Sequence, residues 1–180
     1  MLLSFLNIVE AHVLDALRRE HRIAMYKVRE ALTYLEQQFP STHPLADQKF
    51  TTDGMDLFVE QYGYLINISQ QGQLAMRDLL LAHLSRIERD AAGVPIKLYL
   101  FTHLHRSDVP KSLATEPKVI VIDPYVSFGR PVLAGTSVST VIIAERYKAG
   151  ESIEDLVHDY ALPPQAIQEA IRCELETKAA

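Results

Sequence analysis

Residues 149–164 read AGESIEDLVHDYALPP, and this stretch decides the fold of the last third of the chain. Ser152 and Asp155 have the spacing of a capping box, which predicts the start of a helix. Gly150 suits the left-handed residue that ends the helix before it. Pro164 fits the first turn of a further helix, where a missing N–H is harmless. The stretch therefore predicts short helices that follow one another closely.

The helices on either side of this stretch follow from capping and periodicity. Ser137 is positioned to cap a helix over Val138–Ala149, and basic residues in its last turn are favourable near the negative end of the helix dipole. The final helix should bury the side that carries Ile167, Ala170 and Ile171. We therefore expect a three-helix module in this part of the chain.

Two short helices joined by about three or four residues and covered by a third make the helix-turn-helix plan. In that plan the final helix would present Gln165, Gln168, Glu169 and Arg172. Glutamine and arginine side chains donate well to base edges in a major groove. Many small helical bundles share this outline without binding DNA, and residues 119–180 hold five basic against nine acidic residues. Phosphate neutralisation supplies much of the affinity of DNA complexes. Both DNA contact and a purely structural bundle are therefore compatible with the pattern.

The densest basic patch of the sequence lies upstream, where the first predicted helix ends and the second begins. Its members are Arg18, Arg19, Arg22, Lys27 and Arg29. Such a patch can bind phosphates. Glutamates lie nearby, however, and mixed charge on a helix is typical of a solvated face with ion pairs. The patch is a second DNA-binding candidate, with a solvated ionic surface as the alternative.

The first hundred residues combine helical and strand patterns. Apolar spacings of three and four predict helices over Leu3–Arg19, Met25–Phe39 and Gln71–Asp90. Two short β-rich runs within residues 57–68 predict a hairpin around Gly63 that packs across the third of these helices. Residues 96–101 and 119–122 are further β-rich runs that can pair with each other.

These patterns predict a mainly α protein with minor β, divided into two domains. The N-terminal α+β domain should cover residues 1–102, and the helix-turn-helix-type three-helix domain should cover residues 119–180. Between them, residues 103–118 mix Pro, Ser, Asp and Lys without periodicity, which is typical of a linker.

The amino-acid composition of the sequence indicates which class of protein it encodes. A chain of 180 residues with 48% hydrophobic content and a net charge of -5 is typical of a soluble globular protein, and a single cysteine excludes an intramolecular disulfide. No run approaches the roughly 18 apolar residues that a membrane span needs. No basic leader precedes the apolar start. We therefore expect a cytoplasmic protein that does not contact the membrane.

The sequence predicts neither a catalytic site nor a cofactor. His103, His105 and Asp108 invite a metal hypothesis, but their spacing is weakly specific and zinc needs about three or four convergent ligands. Cys173 lies in a helical run, where packing or surface exposure is its default role. No nucleophile elbow and no HExxH motif is present. We expect no enzyme and no bound metal.

Several motifs of this sequence occur together in a fixed order. They are IDPYVSFGRPVLAGT (122–136), AGESIEDL (149–156) and YALP (160–163). This series resembles the bacterial family catalogued as domain of unknown function 433, and the resemblance covers roughly residues 122–176. Upstream, LSFLNIVEAHVL (3–14), HPLA (43–46) and TDG (52–54) are similar to the longer members, which are described as VapB-type antitoxins.

The resemblance implies a DNA-binding antitoxin of a type II toxin-antitoxin operon that represses its own promoter. Its implied partners are a PIN-domain ribonuclease toxin and operator DNA, and a homodimer would match a symmetric operator. Longer members also carry an N-terminal MerR-like helix-turn-helix, whereas this sequence begins directly at the following helix. A protein-interaction module that masks a toxin without touching DNA is therefore the alternative.

Overall fold

The computed structural model describes residues 4–21, 25–38, 41–67, 69–102 and 115–176. Its elements are, in chain order, α1 (Phe5–His21), α2 (Met25–Gln38), α3 (Met55–Ile66), α4 (Gln70–Leu84), β1 (Ile87–Arg89), β2 (Pro95–Leu100), β3 (Ile120–Ile122), β4 (Val132–Leu133), α5 (Thr140–Lys148), α6 (Ile153–Tyr160) and α7 (Pro164–Glu176). The expected class, mainly α with minor β, is confirmed.

These elements form two compact units. Among the described residues, the first unit contains residues 4–96 with 115 and 116, and the second contains residues 97–102 and 117–176. Most of the predicted linker, 103–118, lies outside the described residues. The division into domains 1–102 and 119–180 therefore stays a prediction.

Pairs of helices build the core of the first unit. Helix α1 packs against α4, and α3 packs against both α2 and α4. Most of the predicted apolar stripes are buried, as amphipathic helices require: Val9 and Val13 of α1, Val28 and Leu35 of α2, and Leu80 and Leu84 of α4. The prediction is wrong for Leu74 and Leu81, which are exposed because Met76 and Leu79 complete the buried face of α4. In the described part of the chain, no helix has both the length and the apolar character needed to cross a membrane.

The hairpin predicted for residues 57–68 is wrong, because residues 57–66 belong to the helix α3. Its buried residues recur at helical spacings of three and four: Met55, Phe58, Val59 and Tyr62. Gly63 is not a turn residue. A Cβ at Gly63 would lie 2.8 Å from the side chain of Gln73, so the glycine permits a close approach between α3 and α4. The aromatic and β-branched residues that indicated strands are core residues of a helix.

The helix predicted over Gln71–Asp90 ends earlier than expected, at Leu84, and β1 follows it. The connection from β1 to β2 is a tight turn built on Asp90. Its Oδ1 accepts hydrogen bonds from the backbone N–H groups of Ala92 and Val94, both at 2.9 Å. An aspartate that binds the backbone two residues on is typical of a turn. The chain therefore reverses after β1, inside the segment that the sequence predicts as the end of the helix.

The strands form one small sheet in the order β1-β2-β3-β4. Strands β2 and β3 are antiparallel, with Leu98 opposite Ile122. Strands β3 and β4 are also antiparallel, with Ile120 opposite Leu133. The pairing that the two β-rich runs predict is confirmed.

Candidate interface of the C-terminal unit

The N-terminus of α5 differs from the expectation. Ser137 is not its N-cap, because the helix begins after Ser139. The two residues before the helix are held in extended conformation: Leu133 N donates to Val138 O at 3.0 Å, and Ser139 forms a β-bridge with Val132. The helix therefore starts two residues later than capping alone predicts.

The connections between the three helices have the capping and turn residues that the sequence predicts. Gly150 has a φ of 102°, and its N–H donates to Tyr147 O at 3.0 Å, which closes the end of α5. Ser152 Oγ accepts from Asp155 N at 3.1 Å, and Asp155 Oδ2 accepts from Ser152 N at 3.3 Å. These two bonds are the reciprocal bonds of a capping box. Pro164 is the first residue of α7, as predicted.

The three helices bury one shared apolar core in the second unit. Its buried members are Ile120, Leu133, Ile143, Leu156, Ile167, Ala170 and Ile171. Helix α7 packs against both α5 and α6. The predicted buried side of the final helix is therefore confirmed, and its opposite side is left exposed.

The exposed side of α7 carries three of the four residues that the sequence predicts to face DNA, whereas the fourth, Glu169, is buried. Gln165 and Gln168 are exposed, and Arg172 shares their face because the three are spaced three and four residues apart. The Arg172 guanidinium donates to Glu169 Oε1 at 2.9 Å, and Glu169 is only 4% exposed. The two glutamines are thus accessible to a partner, whereas the charge of Arg172 is compensated by a buried carboxylate.

Arg146, in the last turn of α5, binds two carboxylates. Its Nε donates to both oxygens of Glu151, at 2.8 and 2.9 Å, and its Nη2 donates to Asp159 Oδ2 at 2.6 Å. The guanidinium also lies 5.2 Å from the centre of the Tyr160 ring. Hydrogen bonds to Glu151 and then to Asp159 raise the pKa of Arg146. Arg146 therefore joins α5 to α6.

The second DNA-binding candidate spans the end of α1 and the start of α2. Arg18 and Arg19 belong to α1, but their side chains and the whole of Arg22 lie outside the described residues. Lys27 Nζ donates to Leu65 O at 2.9 Å, near the end of α3. A lysine on a terminal carbonyl stabilises a helix C-terminus. Arg29 is exposed.

The loop between β3 and β4 exposes two aromatic side chains, a feature that sequence reasoning missed. Tyr125 is 91% exposed and Phe128 is fully exposed. Ser127, Phe128 and Gly129 have positive φ angles of 47°, 58° and 73°. The left-handed region is costly for residues that carry a Cβ. Two aromatic residues in a short loop rich in proline and glycine are the signal that could have revealed it.

The elements from β3 to α7 match a known family. The family model described as "Protein of unknown function (DUF433)" matches residues 120–172. Residues 120–172, which we call the DUF433 domain after this match, are the part of the chain that resembles the family. Both the exposed face of α7 and the aromatic loop lie within this domain. The resemblance expected from the sequence motifs is confirmed.

Similarity to known proteins extends beyond the DUF433 domain. A Mycobacterium tuberculosis protein named "Putative antitoxin VapB45" is 27% identical over 176 residues, covering 94% of this chain and 70% of that protein. "Uncharacterized protein Rv2308" of the same organism is 28% identical over 173 residues, covering 91% and 67%. The crystal structure of Rv2018, also from Mycobacterium tuberculosis, has a TM-score of 0.66 at 22% identity and covers 94% of this chain and 78% of that chain. The chain shares its fold with that structure.

The residues considered for a metal site, His103, His105 and Asp108, lie outside the described residues. Within the described ranges, no three His, Cys, Asp or Glu side chains are grouped so that they could hold a metal ion. Cys173 is half-buried and packs against the core of the DUF433 domain. Its position is that of a packing residue.

A polar cluster of the first unit combines the half-buried His12 of α1 with two buried residues, His83 of α4 and Arg86, which follows α4. The rings of His12 and His83 lie 5.0 Å apart, and His12 Nε2 is 3.3 Å from His83 O. Burial, followed by the nearby charge of His83, lowers the pKa of His12 to about 3. Arg86 is 1% exposed and donates to Glu116 O at 2.7 Å. His12 is therefore uncharged at neutral pH, and the cluster is part of the core.

Proposed function

We propose that this chain is an antitoxin-like regulator that binds and neutralises a toxin protein, a PIN-domain ribonuclease. The observation that carries the proposal is the extent of similarity to the relative named an antitoxin, which covers 94% of this chain. The similarity thus includes both units and is not confined to the DUF433 domain. Neutralisation by such a protein requires a protein surface that recognises the toxin.

We further propose that α6 and α7 form a helix-turn-helix and that α7 contacts operator DNA. Residues 161–163 join these two helices, which is the short connection that the motif requires. Gln165 and Gln168 are exposed on one face of α7, and a glutamine can bind adenine through two hydrogen bonds. A homodimer would bring two such helices to a symmetric operator.

An interaction protein without DNA contact is the second candidate, and the charge distribution favours it. Residues 119–180 hold nine acidic against five basic residues. Arg146 and Arg172 bind carboxylates, and Lys27 of the upstream patch donates to a backbone carbonyl. Because phosphate contacts supply much of the affinity for DNA, this engagement of the cations weakens the case for a tight complex.

Growth rescue tests the toxin half of the proposal. The product of the adjacent gene, expressed alone in a bacterial host, should arrest growth, and co-expression of this chain should restore it. The two proteins should also co-purify as a stable complex. Arrest that this chain fails to relieve, together with no co-purification, would contradict the proposed function.

A mobility-shift assay with DNA from upstream of the gene tests the DNA half. The wild-type protein should shift this DNA at low salt, and the Gln165→Ala/Gln168→Ala variant should bind at least about tenfold more weakly, since one bidentate base contact accounts for about that factor. The matched control is Gln70→Ala/Gln71→Ala, which removes two exposed glutamines from α4 and should not affect the shift. No shift at low salt, with or without the toxin, would favour the second candidate.

A further inference from the structure

The loop of residues 125–130, which we call the aromatic turn, exposes more aromatic surface than folding requires. Phe128 is fully exposed and Tyr125 is 91% exposed. A buried aromatic side chain removes roughly 150–250 Å² from water. Covering both rings would therefore provide a large driving force for association.

The phenylalanine side chain at position 128 does not contribute to the stability of the fold. Its backbone has φ 58° and ψ 34°, in the left-handed region that glycine and asparagine tolerate better. Full exposure means that the ring makes no compensating contact with the core. Residues held in costly conformations cluster at functional sites. A phenylalanine at this position is thus a cost to stability that binding would explain.

The aromatic turn is held in one conformation by hydrogen bonds. Asp123 accepts from Tyr125 N through Oδ1 at 2.9 Å and from Val126 N through its carbonyl at 3.1 Å. Ser127 Oγ donates to Ser137 O at 3.1 Å. A rigid loop loses little conformational entropy on binding, which favours affinity. The backbone that carries the two rings is therefore held by hydrogen bonds before a partner binds.

Charge favours a protein as the occupant of this surface. Arg130, at the end of the aromatic turn, is exposed and has no carboxylate partner among the described residues, unlike Arg146 and Arg172. Tyrosine, phenylalanine and arginine are enriched in the cores of protein interfaces. An aromatic wedge beside an arginine also occurs in minor-groove DNA binding. The acidic excess of residues 119–180, which already weakens the case for DNA contact by α7, also opposes the approach of nucleic acid to the aromatic turn.

We propose that the aromatic turn is the docking element through which the DUF433 domain binds its protein partner. The partner would offer an apolar pocket with a carboxylate at its rim, so that Phe128 and Tyr125 enter the pocket and Arg130 pairs with the carboxylate. This inference rests on the proposed function, and it identifies the partner as the toxin. It assigns toxin recognition to a surface distinct from the glutamine face of α7.

Calorimetric titration of the full chain with the purified product of the adjacent gene tests this assignment. Phe128→Ala should weaken binding about 30-fold or more, as expected for an interface hot spot. Arg130→Glu should weaken it at least about tenfold, because it places like charges together. Tyr64→Ala removes an 81% exposed tyrosine from the first unit and should bind like the wild type. The thermal midpoint of Phe128→Ala should not fall, which would show that weakened binding is not unfolding.

Each outcome separates the docking surface from the proposed function. If Phe128→Ala binds the toxin as tightly as the wild type, the docking assignment is overturned while the proposed function stands. If the wild type does not bind the toxin, both are overturned. Suppose instead that Phe128→Ala keeps toxin affinity but loses self-association by light scattering, or loses the DNA shift. A second copy or DNA would then cover the aromatic turn, and the assignment to the toxin would be overturned.

Discussion

Arg146 and Asp159 are joined by a hydrogen bond of 2.6 Å from Nη2 to Oδ2, which links the end of α5 to α6. The same guanidinium holds Glu151 in the turn between these helices. The hydrogen bond from Arg146 lowers the pKa of the Asp159 carboxyl. A single exposed ion pair contributes little to stability, but one planar guanidinium that binds two carboxylates forms a network. The orientation of α6 on α5 therefore depends partly on Arg146.

Replacing Arg146 should loosen this joint. We expect Arg146→Gln to lower the thermal midpoint at low salt, because it leaves two neighbouring carboxylates without their cation. The difference from the wild type should shrink with added salt, since the screening length falls from about 30 Å at 0.01 M to about 3 Å at 1 M. Scanning calorimetry at both ionic strengths measures the difference in thermal midpoint between the variant and the wild type. Arg130→Gln removes an exposed arginine that has no carboxylate partner in the described part of the chain, and it should leave the midpoint unchanged.

The hydroxyl of Tyr62 is buried without a hydrogen-bond partner among the described residues. Burial raises the pKa of Tyr62 to about 12. Tyr62→Phe should therefore raise the free energy of unfolding by about 1 kcal/mol, because an unsatisfied buried polar group is removed. The stacked contact with Phe58, at 5.5 Å between ring centres, would be kept. Chemical denaturation measures the change, and an equal effect in the exposed control Tyr64→Phe would contradict this explanation.

The half-buried imidazole of His12 should make stability depend on pH. Its pKa is about 3 in the folded state against a reference of 6.5. Above pH 6.5 the imidazole is neutral in both states, so it contributes no pH dependence. Below pH 6.5 the unfolded chain binds a proton that the folded chain excludes, so stability falls by up to about 1.4 kcal/mol per pH unit. Protonation of His12 in the unfolded chain should therefore lower the free energy of unfolding by about 2 kcal/mol between pH 7.5 and pH 5. Chemical denaturation at the two pH values measures this loss.

Two variants distinguish the contribution of His12 to the pH dependence of stability from the contributions of other titrating groups. His12→Gln cannot be protonated, so its stability should fall less than that of the wild type over the same interval. His158→Gln removes a histidine whose side chain is 92% exposed, and it should show the wild-type pH dependence. If His12→Gln lost as much stability as the wild type between pH 7.5 and pH 5, protonation of His12 would not be the source of the pH dependence.

Local contacts explain which parts of the fold the sequence could predict. The bonds between Ser152 and Asp155 join residues three apart, so they depend on little besides the local sequence. The helix α3 was missed because Phe58 and Tyr62 gain stability from packing against other helices. That tertiary contact outweighs their preference for strands. The start of α5 was shifted for a related reason, since the bridge from Val132 to Ser139 is a contact outside the helix.

In the candidate site, too, the sequence predicts local features but not the contacts between distant residues. Spacing places Gln165, Gln168 and Arg172 on one face of a helix, and the structure has them there. Spacing could not show that the carboxylate bound by Arg172 is almost fully buried, because burial depends on the packing of α7 against α5. It also could not show that Lys27 donates to Leu65, which lies 38 residues further along the chain.

The exposure of Phe128 leads to a prediction about stability in the isolated chain. Phe128→Gly should not destabilise the protein and should raise the free energy of unfolding by up to about 1.5 kcal/mol. The left-handed conformation costs a residue with a Cβ about 1–2 kcal/mol, and the greater flexibility of unfolded glycine offsets roughly 0.5–1 kcal/mol of that gain. Val126→Gly is the matched control, since Val126 has an ordinary φ of -114° and should only lose stability. Chemical denaturation compares the two variants. Destabilisation of Phe128→Gly to the same degree as Val126→Gly would mean that the ring supports the fold, whereas greater stability with weaker toxin binding would mark Phe128 as a binding residue.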